Sequence, residues 1–395
     1  MVVVADNVVS LFGQRSVASG PRLRPEKLQK ARRAKAFTQT ELASRIGLTR
    51  QAVSAYEQGA KAPEPDTLVR IAEELGQPLG YFTTEARSAF GPFSARTYRA
   101  FGSATKKRNE QCDELTEWLA VIAAYLDETV QFPEPQVPAF SPSANNEHYD
   151  DEEIEQAAET VRREWGLGPG PIGNLTKLIE SRGVFVGHLP VDAGDVNAFS
   201  YWSGSRPFIV TGADETTAVR RRFDLAHELG HLVLHQGVGA EELEDRAYLK
   251  RIEAEANRFA GAFLLPRSSY PNEVFSSRLM TFVPLKERWK VAISAQVYRC
   301  ADLGILTDGQ VLSLRKQISA KKWRTREPFD DEMVIEKPTV LARAARMAID
   351  GKVLTGPAIV NELKLGPSVV ARVLELEPSE LEEPNGPDPT VQLRS

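Results

Sequence analysis

Residues 223–235 read FDLAHELGHLVLH. The chain holds five histidines among 395 residues, and three of them, His227, His231 and His235, stand four apart here with Glu228 beside the first. On a helix that spacing lines the rings along one face. Phe223, Ala226, Leu229, Leu232 and Val233 recur at helical intervals, Asp214 or Thr216 is a candidate N-cap, and Gly237 follows the last apolar position. The stretch therefore reads as a helix carrying HExxH, two imidazoles one turn apart with a carboxylate next to the first. As a metal site it requires a third ligand from elsewhere.

That ligand is available in KRIEAEANRFAGAFLLP (250–266), where Ile252, Ala256, Phe259, Ala260 and Phe263 form a helical stripe with Glu253 and Asn257 at its edge. The pairing is similar to the gluzincin arrangement, in which a second helix supplies Glu-x-x-x-Asp after HExxH. That likeness implies Glu253 as the third zinc ligand and Asn257 in the place of the residue that orients a zinc histidine, with Glu255 as the alternative ligand. Taken together, HELGH, ExEANRFAGAFLLP, EWGLGPGPIGNLTKLIESRGVFV and RWKVAISA resemble the ImmA/IrrE-type metallopeptidases over roughly 150–310. The resemblance implies a small α+β zincin-like domain holding Zn2+ through His227, His231 and Glu253. It implies Glu228 as general base in peptide hydrolysis, acting on a repressor-like protein or on the chain itself in response to a nucleic-acid or stress signal. An exposed edge among the strands at 183–211 is the expected seat for a peptide added as a strand. The oxyanion donor stays open among His188, Tyr201 and Arg222. His235, two turns from His227, reads as a capping or packing residue; Asp224 either orients His227 or is a solvated helix position. A structural zinc, or an empty degenerate site, is the alternative to catalysis.

Upstream, FTQTELASRIGLTRQAVSAYEQGAKAPEPDTLVRIAEELG (37–76) has helix-turn-helix grammar. Thr38 and Glu41 make a capping box, Gly47 permits the turn, Thr49 caps the next helix, Pro65 opens another and Gly76 closes it. Leu42, Ala43, Ile46, Val53 and Tyr56 supply the wedge between helices. The block resembles the Cro/repressor-type (XRE) helix-turn-helix family over about sixty residues, implying a five-helix domain. In that family the second helix of the motif enters the major groove. This places Thr49, Arg50, Gln51 and Ser54 on the DNA side and Gln39 on a phosphate, on a double-stranded operator read by a homodimer. From Arg15 to Lys61 there are eleven Lys/Arg against Glu26, Glu41 and Glu57, an excess suited to phosphates.

The chain as a whole is mostly helical in pattern, 42% hydrophobic, with a net charge of -5. Cys112 and Cys300 are too few for a disulfide framework; both fall on apolar faces, with a thiolate that keeps the metal site latent as the sharper alternative. WLAVIAAYL (118–126) is too short to span a bilayer, and the first residues make a poor signal peptide, so a cytoplasmic protein without a membrane partner is expected. The divisions read as a flexible arm at 1–20, the helix-turn-helix domain at 21–83, a helical arm with a Pro-rich linker at 84–149, the metallopeptidase domain at 150–270, a helical extension at 271–320 and a helical C-terminal region at 321–395. Within the last, PAIVNELKLGPSVVARVLEL (357–376) is read as a helical clamp between domains in preference to a second, degenerate helix-turn-helix. A DNA-binding regulator carrying a zinc endopeptidase follows from these readings. A non-hydrolytic regulator, or an antitoxin-like protein that uses the zinc domain for sensing or contact, is the alternative.

Overall fold

The computed structural model describes residues 22–95, 106–143, 148–188, 198–212, 217–239 and 241–382. The arm at 1–20 and the candidate caps Asp214 and Thr216 lie outside the described residues. Five helices open the described chain: α1 (Pro25–Ala34), α2 (Gln39–Arg45), α3 (Arg50–Glu57), α4 (Pro65–Leu75) and α5 (Leu79–Thr83). Thr38 and Glu41 cap α2 reciprocally, and Thr49 accepts from the Ala52 amide at the start of α3. Gly47 and Gly76 take φ of 67° and 65°, the left-handed conformation that each turn requires. Leu42, Ala43, Ile46, Val53 and Tyr56 are all buried, so the wedge forms.

The helix expected as an arm, α6 (Lys106–Asp127), is instead the centre of a core. Ala120, Val121, Ile122 and Ala123 are consecutive and all buried, so the helix is enclosed on every side. The Pro-rich stretch after it is docked, not loose: the Gln136 amide donates to Arg182 O at 2.9 Å and the Phe140 amide to Val233 O at 3.2 Å.

Next come α7 (Asp151–Glu164), α8 (Leu175–Ser181) and three short strands, β1 (Phe185–His188), β2 (Ala198–Ser203) and β3 (Arg206–Thr211). Their order is β1-β3-β2, with β1 parallel and β2 antiparallel to β3. Then follow α9 (Ala218–Leu234), α10 (Arg246–Leu264), α11 (Phe282–Trp289), α12 (Ile293–Asp302) and α13 (Asp308–Ala320). LKERWKVAISAQVYRCADLGIL (285–306) is helical in pattern, and the structure divides it at Lys290, which takes φ 55°. The cause lies far away in sequence. Glu327 accepts from the amides of Ile293 and Ser294 at 2.8 and 3.2 Å, satisfying donors that have no partner within the new helix.

The chain ends in α14 (Val340–Asp350), α15 (Gly356–Leu363) and α16 (Pro367–Val373), which close over α6. The Gly366 amide donates to Gln77 Oε1 at 2.8 Å, tying this tail to the helix-turn-helix block.

Because side chains alternate across strands, the sheet separates two cores. Phe185, Phe199, Tyr201, Phe208 and Val210 join a cluster with α1–α6 and α14–α16. Val186 and Ile209 face the other way, into a second cluster whose members lie between Tyr149 and Ile318. The expected extension at 271–320 thus shares the core of the segment before it. Among the described residues no helix is long and apolar enough to cross a membrane.

Candidate metal centre and DNA-reading face

Thr217 caps α9 by accepting from the Arg220 amide, and Asp245 caps α10 by accepting from Ala247 at 2.8 Å. The two helices approach closely at Gly230. A Cβ there would lie 3.1 Å from the Phe259 ring and 3.3 Å from Ala256 Cα, so a larger residue would push α10 away. That close approach carries Glu253 over the histidines.

His227, His231 and Glu253 bring one ligand atom each within 4.8 Å of one another. His227 Nε2 and His231 Nε2 are 3.1 Å apart. Glu253 lies 3.2 Å from the first and 3.4 Å from the second, through its two carboxylate oxygens. Tetrahedral zinc with bonds of about 2.0–2.2 Å sets neighbouring ligand atoms about 3.3–3.6 Å apart, close to the observed separations. Glu253 Oε1 is buried without a hydrogen-bond partner, an unsatisfied acceptor that a cation would satisfy. Asn257 settles the state of His227. Its Nδ2 donates to Glu253 O at 2.8 Å, which turns Oδ1 toward His227 Nδ1 at 3.2 Å. Nδ1 therefore carries the proton, and Nε2 presents a bare lone pair. The residue set fits a zinc ion.

Glu228 is 3% exposed and accepts a hydrogen bond from Ser200 Oγ, on β2, at 2.7 Å. Burial pushes its carboxyl up to about 7, against the opposing pull of His227 and Ser200. Burial likewise drives His231 down to about 3. Burial alone would lower His227 as well, but the carboxylates of Glu253, Glu228 and Asp224 hold it above its ordinary value. Glu253 is held well below the usual carboxylate range by His227 and His231, which outweigh its own desolvation.

Other expected residues lie elsewhere. Glu255, the alternative ligand, turns to His235, with Oε2 2.9 Å from Nε2. His235 is the C-cap residue of α9. Asp224 is half-buried, raised to about 6 by desolvation, and makes no hydrogen bond to His227; it lines a cleft of about 920 Å3 beside the centre, as does Asn257. Two of the candidate oxyanion donors are committed to other partners, since Tyr201 donates to Thr116 O and Arg222 to Glu336 and Ile172 O. His188 Nδ1 lies 3.3 Å from Thr211 Oγ1. Cys112 and Cys300 are buried in the two cores, and burial pushes the Cys300 thiol up to about 11. Neither belongs to the ligand cluster, which removes the thiolate-latency reading.

Three participants were not assigned these roles from the sequence. Ser200 is one, and the His235–Glu255 pair is the second, although a third histidine at helical spacing and a second acid beside Glu253 were signals. The third is the segment at 91–95, which lies along the outer edge of β2: the Ser94 amide donates to Trp202 O and the Gly204 amide to Pro92 O, both at 2.9 Å. It covers the end of β2 beyond Tyr201. Opposite Glu228, the outer edge of β2 has no strand partner among the described residues.

On the helix-turn-helix block, Arg50 and Gln51 are exposed at the start of α3, and Ser54 is partly buried one turn on. Thr49 is exposed and its hydroxyl serves the cap. Gln39 donates to Glu57 Oε2 at 2.9 Å, and the same carboxylate takes Arg32 at 2.5 Å. Much of the basic excess is internally neutralised. Lys30 pairs with Glu117 and Arg33 with Glu110, both on α6, while Arg45 pairs with Glu74.

Residues 28–82 match the helix-turn-helix family model HTH_3, and residues 179–301 match Peptidase_M78, the IrrE N-terminal-like domain. Over 56 residues the chain is 41% identical to YqaE of Bacillus subtilis (strain 168), described as an uncharacterized HTH-type transcriptional regulator. That stretch is 14% of this chain and 48% of the relative, so the chain spans about half the length of the curated relative it matches. A Cro/repressor-type (XRE) helix-turn-helix region and an IrrE/ImmA-like domain of metallopeptidase type are joined in this one polypeptide.

Proposed function

We propose that the chain is a DNA-binding transcriptional regulator whose central domain is a zinc-dependent endopeptidase, cutting a repressor-like protein in response to a signal. One observation carries the reading: two imidazole nitrogens and a carboxylate surround a single point, with the buried carboxylate of Glu228 alongside, held by Ser200. A purely structural zinc has no use for that fourth group.

In this reading His227, His231 and Glu253 hold the ion, and Asn257 fixes the tautomer of His227. When bound, zinc supplies Lewis acidity that acidifies water and polarises a carbonyl. Glu228 takes the proton from the attacking water and returns it to the leaving amine. Ser200 orients Glu228 by donating to Oε2. The outer edge of β2 on the Glu228 side, which has no strand partner among the described residues, accepts an extended peptide by backbone hydrogen bonds.

On the operator, Arg50 and Gln51 read base edges and Ser54 supports them from the next turn; Gln39 and Thr49 sit at the backbone, and a homodimer presents two such faces. A substrate in trans is favoured over self-cleavage. The helix-turn-helix shares its core with α6 and one face of the sheet, so a cut in the chain joining them would leave the pieces packed together.

The test compares wild type with Glu228→Gln, each loaded with zinc and incubated with candidate repressors, reading new termini by mass spectrometry. Equal zinc content, with fragments from the wild type and a roughly 10²–10⁴-fold slower release from the variant, is the expected result. Equal zinc with no fragments from either would replace hydrolysis by the sensing or antitoxin-like role.

A further inference from the structure

We infer that His235 and Glu255 form a hydrogen-bond relay that sets the tautomer of His231 and thereby prepares its Nε2 for a metal. The inference rests on the reading of His227, His231 and Glu253 as ligands and adds two positioning residues to it.

The relay is geometric. His231 Nδ1 lies 3.0 Å from His235 Nδ1, and His235 Nε2 lies 2.9 Å from Glu255 Oε2. A carboxylate only accepts, so His235 carries its proton on Nε2 and donates it to Glu255. In the neutral imidazole Nδ1 is then bare and accepts, and among the described residues the group facing it is His231 Nδ1–H. His231 is left with an unprotonated Nε2, the atom that points at His227 and Glu253. With His235 neutral, reversing either bond alone sets two lone pairs or two protons face to face, at 3.0 Å on the His231 side and 2.9 Å on the Glu255 side.

The surroundings hold this chain in one arrangement. His231 and Glu255 are buried, and the His235 side chain is nearly so. Tyr149 stands edge-on to the His235 ring at 6.3 Å and anchors itself by donating to Leu234 O at 3.0 Å. His235 is fixed at its backbone too, as the α9 C-cap whose amide donates to His231 O. Glu253 and Glu255 divide the work: the first completes the ligand set, and the second acts two residues on, through an intervening imidazole. Asn257 does for His227 what the relay does for His231. The two imidazoles are therefore preset by opposite means, one by a neutral amide and one by a carboxylate acting at a distance.

The experiment uses the full chain, labelled with ¹⁵N at histidine, without metal and then with zinc(II) titrated against a colorimetric chelator. In metal-free wild type, the His231 nitrogen shifts are expected to show Nδ1–H with bare Nε2. Glu255→Ala is expected to lose that preference and to bind zinc roughly 10–100-fold more weakly, with its secondary structure intact by circular dichroism. Glu255→Gln, whose amide oxygen still accepts from His235, is expected to recover most of both; it also serves if the alanine variant misfolds. A wild-type His231 protonated on Nε2, or unchanged tautomer and affinity in Glu255→Ala, overturns the relay. Absence of zinc binding by wild type overturns the ligand reading alone, since the metal-free spectrum decides the relay by itself.

Discussion

The two faces of the three-stranded sheet support opposite solutions to placing polar groups. On one face Phe185, Tyr201 and Phe208 seal a core shared by the helix-turn-helix, α6 and the C-terminal helices, and the groups proposed to meet DNA, Arg50 and Gln51, stay in water. On the other face the chemistry is inside: Glu228 and His231 are 3% and 4% exposed. The first side can lose a functional side chain without losing stability. The second has traded stability for function, because each buried carboxyl and imidazole there is a desolvated polar group. Ser200 lies between Phe199 and Tyr201 on β2; the strand's alternation sends it to Glu228 and its neighbours to the opposite core.

The hardest test of this division is Phe208→Ala. The ring is fully buried, stacked on Tyr201 at 4.9 Å and beside Phe185 at 5.2 Å. Its removal should cost about 3–5 kcal/mol, measured by urea denaturation. If the two sides are separable, operator binding fails at lower denaturant than zinc binding, which depends on the opposite face. Parallel loss of both would mean that the sheet couples them as one cooperative unit.

Legibility in the sequence follows the same division between local and distant causes. Capping boxes, left-handed glycines and the HExxH spacing act within one or two turns, and Thr38, Glu41, Gly76, His227 and His231 stand where the pattern puts them. Glu253 and Asn257 are legible through the likeness to the gluzincin Glu-x-x-x-Asp, on a helix whose apolar stripe sets both at one edge. The burial of α6 is also written in WLAVIAAYL, which is apolar all round, as an enclosed helix is and an exposed arm is not. What had no local trace was anything fixed by a remote partner. The break at Lys290 depends on Glu327, and the seating of the 91–95 segment depends on β2. The turning of Glu255 toward His235 depends on two helices meeting at Gly230.

A smaller effect is expected at Glu114, on the face of α6 that meets α1. Burial, opposed by Lys30, raises its carboxyl from 4.5 to about 7; Arg33 is 3.8 Å away. The folded chain thus holds this proton more tightly than the unfolded chain. Below pH 4.5 both forms are protonated and the site costs nothing; as pH rises toward 7 stability is lost, and above 7 the full penalty remains. Glu114→Gln keeps the shape without the charge. It should match wild type near pH 4.5 and exceed it by roughly 2–3 kcal/mol at pH 8, in urea midpoints taken at the two values. An equal gain at both would assign the effect to packing.

Arg50→Ala should have the smallest effect and the one most confined to function. Arg50 is exposed at the start of α3, so its truncation removes no core contact and should leave the urea midpoint within about 0.5 kcal/mol of wild type. A guanidinium that grips guanine through two hydrogen bonds is worth about 1–3 kcal/mol of discrimination; a long side chain ordered only on binding should fall at the low end, roughly 1–2 kcal/mol, because its rotamer entropy is lost in the complex. Operator affinity measured by fluorescence anisotropy over a salt series then separates the two roles open to it. A base contact weakens the specific site while leaving random DNA almost unchanged, whereas a phosphate contact weakens both and lowers the salt slope by about one. A drop in stability alongside lost affinity would mean that the DNA-facing surface of the helix-turn-helix carries structural charge after all, and the contrast with the buried centre would narrow to a difference of degree.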